Sequence, residues 1–94
     1  MSVLVELFGI LARTAGTKEI TIELTNSLTV EKLLGKLTKR FGEDFENLLV
    51  DKESKQYVPL LLIINGKDAP WEATRKRELI DGDRVNILPP IAGG

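Results

Sequence analysis

The spacing of apolar and polar residues predicts two N-terminal strands. Residues 3–8 are apolar or β-branched except for Glu6, and they end at Gly9, which is typical of a first strand. Residues 19–24 alternate polar and apolar, so that one face would be buried: Ile20, Ile22 and Leu24. Residues 9–18 are rich in turn-forming residues and are interpreted as a loop, which predicts an antiparallel hairpin.

A main helix is predicted between Thr29 and Gly42. The hydroxyl of Thr29 can accept an amide hydrogen bond at a helix N-terminus, and the next apolar residues recur at helical spacing: Val30, Leu33, Leu34, Leu37 and Phe41. Gly42 would end the helix in a left-handed conformation. Gly35 should cost about 1 kcal/mol relative to alanine inside a helix, which a close approach to the sheet would explain.

The C-terminal half predicts a further hairpin and a last strand. Asp44 could cap a short turn, and residues 51–56 read as a polar loop. Leu60–Ile64 is an apolar strand followed by Asn65-Gly66, a strong two-residue turn signal, with a short partner in residues 67–71. After a turn at residues 81–83, residues 84–88 form the last strand, which predicts a mixed sheet of about five strands in an α+β domain.

One side of this sheet should be partly uncovered, because one helix can cover only one face. Alternation directs Phe8 outward from the first strand and Leu88 outward from the last. Part of the apolar segment 60–64 should also be exposed. A continuous exposed apolar patch usually marks an interface with another protein.

Composition limits the function further. Ninety-four residues make one domain, and 13 basic against 14 acidic residues favour neither nucleic acid nor membrane as a partner. The chain has no cysteine and no histidine, which removes disulfides, the usual zinc ligands, thiol nucleophiles and the commonest general base. No apolar segment is long enough to span a bilayer or to form a secretion signal, so a cytoplasmic protein is expected.

The most informative stretch is the tail that follows the domain of residues 1–88. Pro89-Pro90 should stop the sheet and keep the chain extended, and Ile91 and Ala92 lead to Gly93-Gly94, which could pass through a narrow channel. Residues 89–94 would span at most roughly 20 Å. The carboxylate of Gly94 is therefore a candidate for acyl transfer, although a Gly-Gly end can also be a frayed terminus.

The chain resembles the β-grasp sulfur carriers, in particular the MoaD-like small subunits of molybdopterin synthase. The resemblance rests mainly on the Pro-Pro-Ile-Ala-Gly-Gly ending after a strand, together with Phe8-Gly9, Thr29-Val30, Asn65-Gly66 and Asp81-Gly82-Asp83. The resemblance implies that the first and last strands are parallel neighbours. It also implies that a ubiquitin-activating-type enzyme adenylates Gly94 with ATP, and that a sulfur donor protein then forms a thiocarboxylate for the large synthase subunit. The chain itself would bind no cofactor, and Arg13 fits a docking position that is commonly basic in this family.

Other uses of the same tail remain open. The chain could be a ubiquitin-like modifier joined through Gly94 to lysines, or a sulfur carrier for thiamine or tRNA thiolation. A β-grasp interaction module with an idle tail is a further alternative. The segment 43–57 is longer and more charged than the corresponding segment in compact bacterial members of this family, which leaves the identity of the partner open.

Overall fold

In the part of the chain that the structure describes, the sheet has five strands, and its first and last strands in the sequence are parallel neighbours. The computed structural model describes residues 1–24 and 26–89. The strands are β1 (Ser2–Leu7), β2 (Glu19–Glu23), β3 (Leu61–Ile64), β4 (Lys67–Asp68) and β5 (Arg84–Leu88). Their order is β2-β1-β5-β3-β4, in which β1 and β5 are parallel and the other neighbours antiparallel. The predicted α+β class, the first hairpin and the parallel pairing of first and last strands are confirmed.

Among the described residues, four helices accompany this sheet: α1 (Ile10–Ala15), α2 (Val30–Phe41), α3 (Glu43–Leu49) and α4 (Trp71–Thr74). The interpretation of residues 9–18 as a loop is wrong, because α1 forms there around the fully buried Leu11. The predicted cap at Asp44 is also wrong, since α3 begins at Glu43 with Gly42 at its N-cap position and no side-chain cap.

Helix α2 follows the predicted stripe. The hydroxyl of Thr29 accepts a hydrogen bond from the amide of Lys32 (3.2 Å), and the four apolar residues that face the sheet are fully buried: Val30, Leu33, Leu34 and Leu37. Gly42 has φ 92° and ψ −169°, so the helix does not end in the left-handed helical conformation that was predicted. A Cβ on Gly35 would meet nothing within 4 Å beyond its own helix, so a close approach to the sheet does not explain this glycine.

The core lies between the helices and one face of the sheet. The inward residues of the strands are buried: Val3, Val5, Leu7, Ile20, Ile22, Leu62, Ile64, Val85 and Ile87. Alternation indicated this for β1, β2 and β5, whereas the wholly apolar segment 60–64 did not show which residues of β3 face inward. Leu24 is only half-buried, because it lies beyond the end of β2. Burying each large aliphatic side chain contributes about 1.5–3 kcal/mol, so these residues fix which face of every strand is left outside.

The Asn65-Gly66 turn joins β3 and β4 as predicted. Both residues have positive φ, 52° and 81°, which the right-handed twist of a two-residue hairpin favours. Strand β4 ends at Asp68 rather than Trp71. Pro70 has no amide for a sheet hydrogen bond, and Trp71 already begins α4.

Candidate functional site

Three apolar side chains form a row across the outer face of the sheet. Leu61 of β3 lies opposite Leu88 of β5, and Phe8 follows Leu7, whose partner in β5 is Ile87. Phe8 is 42% exposed, Leu61 is 44% exposed and Leu88 is half-buried. This register places Phe8 beside Leu88, which agrees with the implied parallel pairing of the first and last strands. We call these three residues the apolar row; their part in binding a partner stays a prediction.

A polar network borders the apolar row along the sheet. The side-chain amide of Asn86 donates to Oε1 of Glu6 (3.0 Å), and Nε of Arg84 lies 3.5 Å from the same oxygen. Ile63 of β3, which is half-buried, pairs with Asn86 of β5. Alternation along residues 3–8 places Glu6 on the same face as Phe8. It could not identify the partners of Glu6, because they depend on the register of β1 against β5.

A groove of about 810 Å³ opens at the Phe8 end of the apolar row, between β1, α1 and the start of β2. Arg13, for which a docking role was predicted, is exposed on α1 and lines this groove together with Phe8. That role remains a prediction. The full lining is Glu6, Leu7, Phe8, Gly9, Ala12, Arg13, Gly16, Thr17, Lys18 and Glu19.

Gly9 is a residue whose importance the sequence did not reveal. Its backbone has φ 59° and ψ −133°, a conformation that essentially only glycine adopts. A Cβ there would lie 3.3 Å from Cγ of Pro89, so the proline ring packs against the backbone of Gly9. The sequence had indicated Gly9 only as the end of a strand, since the contact requires β1 and β5 to be neighbours.

Pro89 is the last described residue of the predicted tail. It is half-buried directly after β5. The other predicted tail residues lie outside the described residues: Pro90, Ile91, Ala92, Gly93 and Gly94. The described site therefore consists of the apolar row, the groove and the point at which the chain leaves the sheet.

An aromatic pair fixes the end of the charged segment 43–57. The rings of Tyr57 and Trp71 lie 4.9 Å apart between centroids, tilted by 59°. Burial, and after it the negative charges of Glu31 and Glu46, raises the pKa of Tyr57 above its ordinary value of 10.0. The pair stabilises the connection between α3 and β3, and none of its members belongs to the apolar row.

Across residues 1–24 and 26–89, no helix combines the length and apolar character needed to cross a membrane. Within the same residues, no group of three or more acidic, cysteine or histidine side chains is arranged to hold a metal ion.

Comparisons with known proteins give consistent relatives. A candidate sulfur carrier protein of Archaeoglobus fulgidus is 34% identical over 80 residues, covering 84% of this chain and 85% of that protein. Small archaeal modifier protein 3 of Haloferax volcanii is 29% identical over the full length of both chains. A candidate molybdopterin converting factor subunit 1 from Pyrococcus furiosus superposes with a TM-score of 0.72 at 29% identity, covering 97% of this chain and 99% of the other.

The ThiS family profile matches residues 5–94, which include the end of β1, all of β5 and the tail sequence. The chain therefore belongs to the ThiS family and is a β-grasp protein of the ubiquitin-like sulfur carrier and modifier type.

Proposed function

We propose that this chain is a sulfur carrier for molybdopterin biosynthesis, with the carboxylate of Gly94 as its reacting group. The observation that supports it most directly is the apolar row, which lies on the open face where β5 continues into Pro89. A partner that binds this row would hold the domain beside the start of the tail. The row supplies the docking surface, and the Gly93-Gly94 end supplies the acyl group.

The proposed chemistry has two steps. A ubiquitin-activating-type enzyme joins the Gly94 carboxylate oxygen to the α-phosphorus of ATP, which forms an acyl-adenylate and releases pyrophosphate. A sulfur donor protein then supplies a sulfur nucleophile that attacks the acyl carbon. The bond to AMP breaks, and AMP leaves with the oxygen. If the nucleophile is a persulfide, the product is an acyl disulfide. A second thiol, on the donor or the activating enzyme, then attacks the donor sulfur and forms a disulfide with it, and the S–S bond breaks to release the C-terminal thiocarboxylate.

The partners supply the catalytic groups in this proposal. The chain has no histidine and no cysteine, so the general base and the thiol would belong to the activating enzyme and the sulfur donor. The large subunit of a molybdopterin synthase would then bind the same face and receive the tail. Since ATP is consumed, we place the reaction in the cytoplasm.

The relatives favour two recipients of the activated tail. The Pyrococcus furiosus protein, named as a molybdopterin converting factor subunit at 29% identity, and the Pro89-Pro90 pair support the molybdopterin pathway. The equally similar Haloferax volcanii protein, named as a modifier, supports a second candidate function in which Gly94 is joined to lysine side chains.

Intact mass spectrometry tests the carrier function. The untagged protein is incubated with ATP, sulfide and the activating enzyme of the same organism. The expected result is a mass gain equal to the replacement of one oxygen by sulfur, located in the C-terminal fragment. A variant lacking Gly94 is the control and should gain nothing; an unchanged mass in the full-length protein would refute the proposal.

A second experiment separates the two recipients. Trypsin cleaves after Arg84, the last basic residue, so a lysine modified in cells would retain the remnant Val85–Gly94. Such remnants on other proteins would demonstrate the modifier function. Conversion of a molybdopterin precursor by the large synthase subunit, only when thiocarboxylated carrier is present, would demonstrate the molybdopterin function.

A further inference from the structure

Gly9 and Pro89 meet where β1 and β5 end side by side. The amide of Phe8, the first residue after β1, donates to the carbonyl of Ile87 within β5 (3.2 Å), so the hydrogen bonds between the two strands extend to the residue before Gly9. A Cβ built on Gly9 would lie 3.3 Å from Cγ and 3.7 Å from Cδ of Pro89. The pyrrolidine ring therefore rests on the bare backbone of Gly9.

The backbone of Gly9 is held from both sides. It follows β1, and its carbonyl accepts the amide of Arg13 in α1 (3.2 Å). The amide of Leu11 donates to the carbonyl of Phe8 (3.2 Å), and the side chain of Leu11 is fully buried in the core. Gly9 is thus a fixed support rather than part of a loose loop.

The ring of Pro89 controls the direction of the chain after β5. Proline fixes its own φ near −65°. Pro89 also precedes Pro90, and a residue before proline is restricted to extended ψ values. With both backbone angles of residue 89 restricted, the position of its ring determines the direction in which the chain leaves the sheet.

Building on the proposed function, we propose that Gly9 is a positioning residue for the adenylation of Gly94. It supports Pro89 so that, when the apolar row binds the activating enzyme, the tail starts toward the enzyme's nucleotide. A side chain at position 9 would push the proline ring away while leaving the apolar row unchanged. The carboxylate would then be misplaced in a complex that still forms.

The competing explanation is that Gly9 serves only the backbone turn into α1. Gly42, outside the groove, provides a matched control: like Gly9 it stands at the N-cap position of a short helix with positive φ (92°), but a Cβ there would meet nothing within 4 Å. Pro89→Ala separates the two explanations further, because alanine has neither Cγ nor Cδ. The effect of a side chain at position 9 should disappear in that background only if the contact matters.

ATP–pyrophosphate exchange with the activating enzyme measures kcat, and calorimetry without ATP measures the Kd of the complex. We expect Gly9→Ala to lower kcat by about tenfold to a hundredfold at unchanged Kd, since small misplacements of reacting groups have effects of this size. Gly42→Ala should keep the wild-type kcat under conditions in which circular dichroism shows that it is folded. The double variant Gly9→Ala, Pro89→Ala should match Pro89→Ala alone.

If Gly9→Ala lowers kcat by the same factor in the Pro89→Ala background as in the wild type, the positioning role is overturned. A raised Kd for Gly9→Ala would also overturn it. If circular dichroism shows that Gly9→Ala does not fold, Pro89→Ala decides: it should lower kcat at unchanged Kd, and an unchanged kcat overturns the proposal. In the wild type, missing nuclear Overhauser effects between Gly9 Hα and the Pro89 ring would also overturn it. A wild-type chain that supports no exchange would instead refute the proposed function itself.

Discussion

Replacing Asp83 with alanine removes a carboxylate that connects two turns to β5. Asp83 is only 4% exposed. Its Oδ1 accepts the side-chain amide of Asn65 (2.9 Å), and its Oδ2 accepts the backbone amide of Ile80 (2.9 Å). Oδ1 of Asn65 in turn accepts the amide of Arg84, the first residue of β5 (2.9 Å). One side chain therefore orders the β3–β4 turn, the turn before β5 and the beginning of that strand.

The size of the effect follows from the groups left without partners. Asp83→Ala leaves two donors in partly buried positions, and each unsatisfied donor costs roughly 1–3 kcal/mol. Allowing for partial access of water, we expect the free energy of unfolding to fall by about 2–4 kcal/mol. Asp83→Asn retains one acceptor and should cost about 1–2 kcal/mol.

Urea unfolding followed by the fluorescence of Trp71, the only tryptophan, provides the measurement. Asp81→Ala is the matched control from the same turn. The Oδ1 of Asp81 accepts the amide of Ser2 (2.8 Å), but in an exposed position where water can replace it. It should cost about 1 kcal/mol or less. If Asp83→Ala costs no more than Asp81→Ala, the buried network does not stabilise the protein as described.

Three further predictions concern stability, pH dependence and binding. Gly35→Ala should raise the midpoint of thermal unfolding, with about 0.5–1 kcal/mol of stabilisation, because the added Cβ would meet nothing within 4 Å beyond its own helix. Gly42→Ala should lower the midpoint, because alanine is strained at φ 92°. Because burial and two nearby glutamates raise the pKa of folded Tyr57, the unfolded state loses this proton first. The wild type should therefore lose stability relative to Tyr57→Phe above about pH 10, and a constant difference in urea titrations would contradict this. Leu61→Ser should weaken binding to the activating enzyme about tenfold in calorimetry, whereas Ile80→Ser, at a 67% exposed position near the other end of β1, should not.

The strands were predictable because alternation is a local property. The bounds of β5 agree with the prediction, and each end of β1 differs from it by one residue. Helix α1 was missed because six residues show too few turns for a helical period, and its formation depends on burying Leu11. Tertiary packing, rather than local sequence preference, decides the conformation there.

The candidate site was predictable only in part. Alternation correctly directed Phe8 and Leu88 outward, but Leu61 could be chosen from the segment 60–64 only once its register against β5 was known. The contact between Gly9 and Pro89 joins residues far apart in the sequence, and no local pattern indicates it. The choice of Leu61 and the contact between Gly9 and Pro89 both depend on which strands are neighbours in the sheet. The pairing of the first and last strands was expected only from the family resemblance, not from the spacing of apolar residues.

The central place of β5 also has a mechanical consequence. This strand is hydrogen-bonded to β1 on one side and to β3 on the other. A pull applied to the chain beyond Leu88 would load both ladders along the strand axis, so that many bonds must break together instead of one after another. A partner that pulls on the tail should therefore not unfold the domain easily. An edge strand, which is hydrogen-bonded on one side only, would detach at a lower force.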